Sequence, residues 1–174
     1  MSRLLGGREL FIGEILDTIP QRVAPGLVLG PMRQGWPSYR LLEQHIFGLT
    51  CLVADARGPY EDRECVQQIF ELTLDADYPL AELESRYLTK IEPVIGRPIK
   101  AERYATQTAA QVAYSADWDI DDLRVTLSIY GGPRSSHGGR ATAGLFVNLR
   151  DELPIMARHA AALSARESAL WGAL

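Results

Sequence analysis

The glycine-rich stretch at residues 129–140, IYGGPRSSHGGR, combines residue types that can bind anions. Arginine and histidine donate hydrogen bonds to anions, and glycine lets backbone amides approach a phosphate closely. A phosphate-binding loop leads into a helix, whereas this loop leads into the strand-like run ATAGLFVNL and lacks the Gly-Lys-Ser ending or the Gly-x-Gly-x-x-Gly spacing. We therefore interpret it as a turn between strands, in which Arg134, His137 and Arg140 are candidate anion-binding residues.

The acidic segment ADWDIDD, residues 116–122, is the second candidate site. An EF-hand loop that begins at Asp117 requires glycine sixth and a carboxylate twelfth, where this chain has Asp122 and Ser128. As a turn between strands the segment is either plainly solvated or an acidic surface for a basic partner, with an aromatic anchor beside it. The predicted partner-binding residues are Asp117, Trp118, Asp119, Asp121 and Asp122.

No catalytic signature is found among the nucleophiles and histidines of the chain. There is no Gly-x-Ser-x-Gly elbow and no His-Glu-x-x-His motif, and the three histidines, His45, His137 and His159, lie far apart. Cys51 and Cys65 lack zinc-binding spacing and are expected to be buried free thiols. We predict no catalytic residue, no metal and no cofactor, although a site formed by distant residues stays open.

The composition restricts the class of protein. With 174 residues, 47% hydrophobic and 23% charged, the chain is expected to fold as one soluble domain over residues 1–174. A net charge of −4 with scattered arginines disfavours nucleic-acid binding, and the absence of a long apolar run or leader disfavours membranes. Sixteen arginines against two lysines suit a GC-rich bacterial genome, and we expect a cytoplasmic location.

Helical spacing occurs in three segments. The run ELFIGEILDTI predicts an N-terminal amphipathic helix closed by Pro20, and apolar residues from Leu80 to Ile91 predict a helix ended by Pro93. Asp151 is expected to cap a C-terminal helix. The apolar stripe of that helix comprises Met156, Ala160, Leu163, Leu170 and Leu174.

Strand-like segments lie between these helices. Residues 46–54 and 66–74 predict a hairpin, and period-two alternation predicts strands at 112–118 and 123–130. A third strand-like run follows at 143–149. A short strand is expected at residues 27–29 and a helical turn at 38–43. The pattern favours an α+β fold, a mainly antiparallel sheet with helices packed on one face and helices at both termini.

Three functions follow as hypotheses. This order of elements is similar to that of many bacterial immunity and adaptor proteins, which implies a non-enzymatic protein that occludes a partner such as a toxin. The second hypothesis is a small enzyme or anionic-ligand binder that uses the Arg134, His137 and Arg140 loop. The third is a structural subunit of a larger assembly, for which an exposed apolar stripe on the last helix would be the sign.

Overall fold

The computed structural model describes residues 3–18, 27–29, 38–41, 44–58, 64–72, 80–105, 112–130 and 142–172. These residues form an α+β fold with an antiparallel sheet. The elements are β1 (Arg3–Leu5), β2 (Arg8–Leu10), β3 (Leu27–Leu29), β4 (Ser38–Leu41), β5 (Gln44–Ile46), β6 (Leu49–Arg57), β7 (Gln67–Leu72), α1 (Leu80–Ile95), β8 (Lys100–Arg103), β9 (Val112–Ile120), β10 (Leu123–Tyr130), β11 (Thr142–Leu149) and α2 (Leu153–Gly172).

The main sheet has the described strand order β3-β4-β6-β7-β11-β10-β9-β8, with β5 also paired to β6. All of these pairs are antiparallel. The predicted hairpin is confirmed as β6 with β7, and the strands predicted at residues 112–118, 123–130 and 143–149 are confirmed as β9, β10 and β11. The predicted short strand is confirmed as β3. The strands β9 and β10 therefore follow from the alternation of apolar and polar residues.

Two segments differ from the expected strand and turn. The single strand expected at residues 46–54 is divided by a tight turn at Phe47 and Gly48, whose φ angles of 54° and 72° reverse the chain from β5 into β6. The helical turn expected at residues 38–43 was wrong, because Ser38–Leu41 pairs with β6 as strand β4. Hydrogen bonding to β6 outweighed the weak preference of this segment for a helical turn.

The expected N-terminal helix was wrong. Residues 3–10 form the hairpin of β1 and β2, reversed at Gly6 and Gly7 with φ angles of 57° and 77°, and Leu16–Thr18 forms a single 3₁₀ turn. The backbone amides that a helix would pair internally bond elsewhere: the Phe11 amide donates to Gln68 Oε1 at 2.8 Å, and the Gly13 amide donates to the Cys65 carbonyl at 2.7 Å. Tertiary hydrogen bonds thus replaced the helix.

The helix α1 covers the apolar face of the sheet and packs against β9. It continues past Pro93 to Ile95, so the expected end at Pro93 was wrong. Gly96, with φ of 84°, ends it, and the Gly96 amide donates to the Glu92 carbonyl at 2.9 Å. Buried residues of the core include Leu5, Leu10, Leu16, Phe70, Leu83, Tyr87, Ile91, Tyr114, Trp118, Val125, Leu127 and Leu145.

The helix α2 confirms the expected C-terminal helix and its cap, since the Leu153 amide donates to Asp151 Oδ1 at 3.1 Å. Its burial is confined to the first turns, where Ile155 is buried and His159 is half-buried. Arg158 adds an ion pair with Glu64 at 2.6 Å. The rest of the helix, as far as its side chains are described, is exposed.

Candidate functional site

The acidic segment forms the two-residue turn between β9 and β10. Asp121 and Asp122 occupy the turn, with Asp121 at a φ of 52°, and Ile120 pairs with Leu123 across it. Aspartate tolerates this left-handed conformation better than most residues. Asp117 and Asp119 precede the turn on the polar face of β9.

Arginines of the chain pair with these acids. Asp119 Oδ1 accepts a hydrogen bond from Arg124 Nε at 2.9 Å, and Arg150 Nη2 lies 3.7 Å from Asp119 Oδ2. These interactions, with the hydrogen bond from Arg124 first, lower the pKa of Asp119. Antiparallel register places residues 119 and 124 opposite each other, so the sequence contained this signal and it was missed.

Asp122 and Asp117 also have partners within the chain. Asp122 Oδ2 accepts from Arg3 Nε at 2.9 Å and Arg3 Nη2 at 2.6 Å, which lowers the pKa of Asp122. Asp117 Oδ1 accepts a hydrogen bond from the Thr126 hydroxyl at 2.6 Å. Much of the acidity is therefore balanced locally, which weakens its attraction for a basic partner.

The expected aromatic anchor is in the core instead. Trp118 is 1% exposed, on the apolar face of β9, and its indole Nε1 donates to the Gly96 carbonyl at 2.8 Å. The neighbouring acids lie on the opposite face, since side chains alternate along a strand. Trp118 therefore contributes to packing between β9 and the end of α1, and an exposed anchor at this position is not formed.

The candidate anion-binding residues Arg134, His137 and Arg140 lie outside the described residues. The strands that flank their loop, β10 and β11, are paired from Leu123 with Leu149 to Tyr130 with Thr142, as the turn interpretation expects. The two other histidines are described: His45 is exposed on β5, and His159 is half-buried on α2. These two histidines belong to different elements, β5 and α2.

The described part of the chain offers little other chemistry. Its buried carboxylate, Glu84, forms an ion pair with Arg103 that joins α1 to β8. Arg103 Nε donates to Glu84 Oε1 at 3.1 Å and to Oε2 at 2.8 Å, and Arg103 Nη2 lies 2.7 Å from Oε2. Burial raises the pKa of Cys51 to about 11 and that of Cys65 to about 12. Within the described ranges no three metal-binding side chains form a group.

An apolar stripe is exposed on α2. Leu153 is 77% exposed and Leu170 is 70% exposed, and between them Met156 and Leu163 are also exposed. Residues 156, 163 and 170 recur every seven residues, the spacing of helices that pack against other helices. The sequence revealed the stripe but not its exposure, because the same pattern serves a helix packed internally.

Known proteins provide no assignment for these features. Comparison of the chain with protein-family models, curated proteins and solved structures finds no match. Among the described helices, none combines the length and apolar character that a membrane crossing requires.

Proposed function

We propose that this chain is a non-enzymatic protein-binding protein and that α2 is its contact surface. The observation that supports this proposal is the exposed stripe of Leu153, Met156, Leu163 and Leu170. An exposed apolar stripe on the last helix was the expected sign of a subunit in a larger assembly, and the same surface can equally be buried against a single protein partner. The proposed partner presents an apolar groove or helix face that accepts residues at this spacing.

Physical chemistry favours contact through α2. Burying one exposed leucine side chain fully contributes about 1.5–3 kcal/mol, and the helix has several apolar side chains in a row. Six alanines between residues 157 and 169 favour the helical conformation without tertiary packing, so less ordering entropy opposes association. The stripe extends over about 26 Å of helix from Leu153 to Leu170, given the rise per residue.

Occlusion of a toxin remains the biological role that we propose for this contact. The acidic turn is not our first choice of surface, because Asp119 and Asp122 already form ion pairs with Arg124 and Arg3. An apolar contact also differs experimentally from an acidic one, since salt screens charges but does not weaken apolar burial.

The test is capture of partners from a lysate of the source cell by the tagged full-length protein at low and moderate salt. Leu163→Gln with Leu170→Gln removes two of the four apolar side chains of the stripe, and Leu4→Gln is the matched control, because Leu4 is 66% exposed on β1. We expect one stoichiometric partner that is retained as salt rises, kept by the control and lost by the α2 variant.

Two outcomes would contradict the proposal. A partner that binds the α2 variant as well as the unaltered protein would place the contact elsewhere. A partner that dissociates at moderate salt and does not bind the Asp121→Asn variant would assign the contact to the acidic turn. Light scattering of the purified chain completes the test, because a self-associated protein that dissociates in the α2 variant identifies the partner as a second copy.

A further inference from the structure

A cavity of about 410 Å³ lies between the β5–β6 turn and α1. This volume falls within the usual range of small-molecule sites, about 300–1,000 Å³. Described residues of its wall include Gly48, Leu49, Leu83, Arg86, Tyr87 and Lys90. A Cβ atom placed on Gly48 would meet no atom within 4 Å, which shows how open the turn side is.

Helix geometry divides this cavity into an apolar floor and a cationic rim. Residues 83, 86, 87 and 90 follow the i, i+3, i+4, i+7 spacing and share one face of α1. Leu83 and Tyr87 are each 4% exposed, so they form the floor, whereas Arg86 and Lys90 are exposed at the rim. Long basic side chains cover apolar surface while the charged group stays in water.

The charges around the cavity favour an anion. Glu82 is the single acid among its described lining residues, against the two cations Arg86 and Lys90. The Lys90 ammonium has no ion-pair partner within the described ranges. Ser85 adds a hydroxyl to the same wall. An inorganic anion alone would leave the apolar floor uncovered, and a neutral apolar molecule would leave the Lys90 ammonium without an anionic partner.

The geometry points to a binding site for a small amphiphilic carboxylate, with its carboxylate at Arg86 and Lys90 and its apolar part against Leu49, Leu83 and Tyr87. This site shares no residue with the contact surface on α2, and it goes beyond the proposed function. It also differs from the loop of Arg134, His137 and Arg140. Binding involves no covalent step.

Octanoate is the probe, titrated into the full-length protein and followed by amide NMR. We expect saturable shifts at Thr50, Ser85 and Lys90, and weaker binding of acetate and of 1-octanol, which carry only the charge or only the chain. Arg86→Gln and Lys90→Gln should each weaken octanoate about tenfold, the effect of one charged hydrogen bond. Arg97→Gln, an exposed arginine outside the cavity, is the control for charge alone.

Three results would overturn the site. One is equal affinity for 1-octanol and octanoate, which would remove the carboxylate from the recognition. Another is shifts confined to α2, which would mean that octanoate binds the exposed stripe. The third is equal affinity in Arg97→Gln and the two cavity variants. Comparison of the three probes on the unaltered protein does not depend on any variant folding.

Discussion

Trp118 provides a test of the core, because truncation should destabilise the fold directly. The side chain is 1% exposed and donates a hydrogen bond of 2.8 Å to the Gly96 carbonyl. Trp118→Ala should lower the free energy of unfolding by about 3–5 kcal/mol, as for large aromatic residues in other cores. Trp118→Phe retains a ring but loses the hydrogen bond, which alone contributes about 1 kcal/mol, so its effect should be smaller.

Urea and thermal unfolding followed by far-UV circular dichroism measure this difference without relying on the fluorescence of the altered residue. For a chain of this size 1 kcal/mol shifts the melting temperature by about 2–4 °C, so Trp118→Ala should melt about 6–20 °C lower. Tyr104→Ala, the truncation of an aromatic residue that is 46% exposed, is the control and should change little. Unchanged stability of Trp118→Ala would refute the core position and restore a surface role for this indole.

Two further predictions concern ionisable groups. Arg3 lowers the pKa of Asp122 below its ordinary value of 3.8, so ionised Asp122 stabilises the fold above that value and this contribution is lost as pH falls through the lowered pKa. In Asp122→Asn, the free energy of unfolding measured by urea titration should therefore fall less steeply as the pH drops below 3.8. The same steepness in the variant and the unaltered protein would contradict the pairing. Burial raises the pKa of Cys51 to about 11 and that of Cys65 to about 12, so both should resist maleimide at about pH 8 in native protein and react in urea. Mass spectrometry counts the adducts, and rapid native labelling of Cys65 would show that it is accessible.

Much of the sheet could be predicted because buried and less buried residues alternate along most of β9 and β10. In β10, Leu123, Val125 and Leu127 are buried while Arg124 is exposed, so period two fits the strand as far as Leu127. Ser128 departs from this pattern, because it is buried together with Leu127 and Ile129. The N-terminal segment has no alternation that would distinguish a strand from a helix, because Phe11, Ile12 and Leu16 are all buried and their spacing also fits a helix. Its structure depends on Gln68 and Cys65, more than 50 residues away, which no local pattern includes.

The candidate sites were harder to predict because they depend on exposure and on cross-strand partners. The acids of the turn were visible in the sequence, but Arg3 pairs with Asp122 across 119 positions. The cavity beside α1 requires the β5–β6 turn, which was expected to be continuous strand. Helical spacing of Leu83, Arg86 and Lys90 was present in the sequence, yet it does not reveal the opposite wall.

Alternation along β9 argues against a single contact centre built from the acids and the tryptophan. Asp117 and Asp119 must lie on one face of the strand if Trp118 lies on the other, and Trp118 is in the core. A partner that contacts the polar face would therefore meet carboxylates already paired with Arg124 and Thr126, and would have to compete with those bonds. A partner that binds the exposed leucines on α2 does not compete with bonds inside the protein, since burial of these leucines replaces only contacts with water. The physical cost of contact is thus lower at α2, which is why our proposal uses α2 and not the acidic turn as the contact surface.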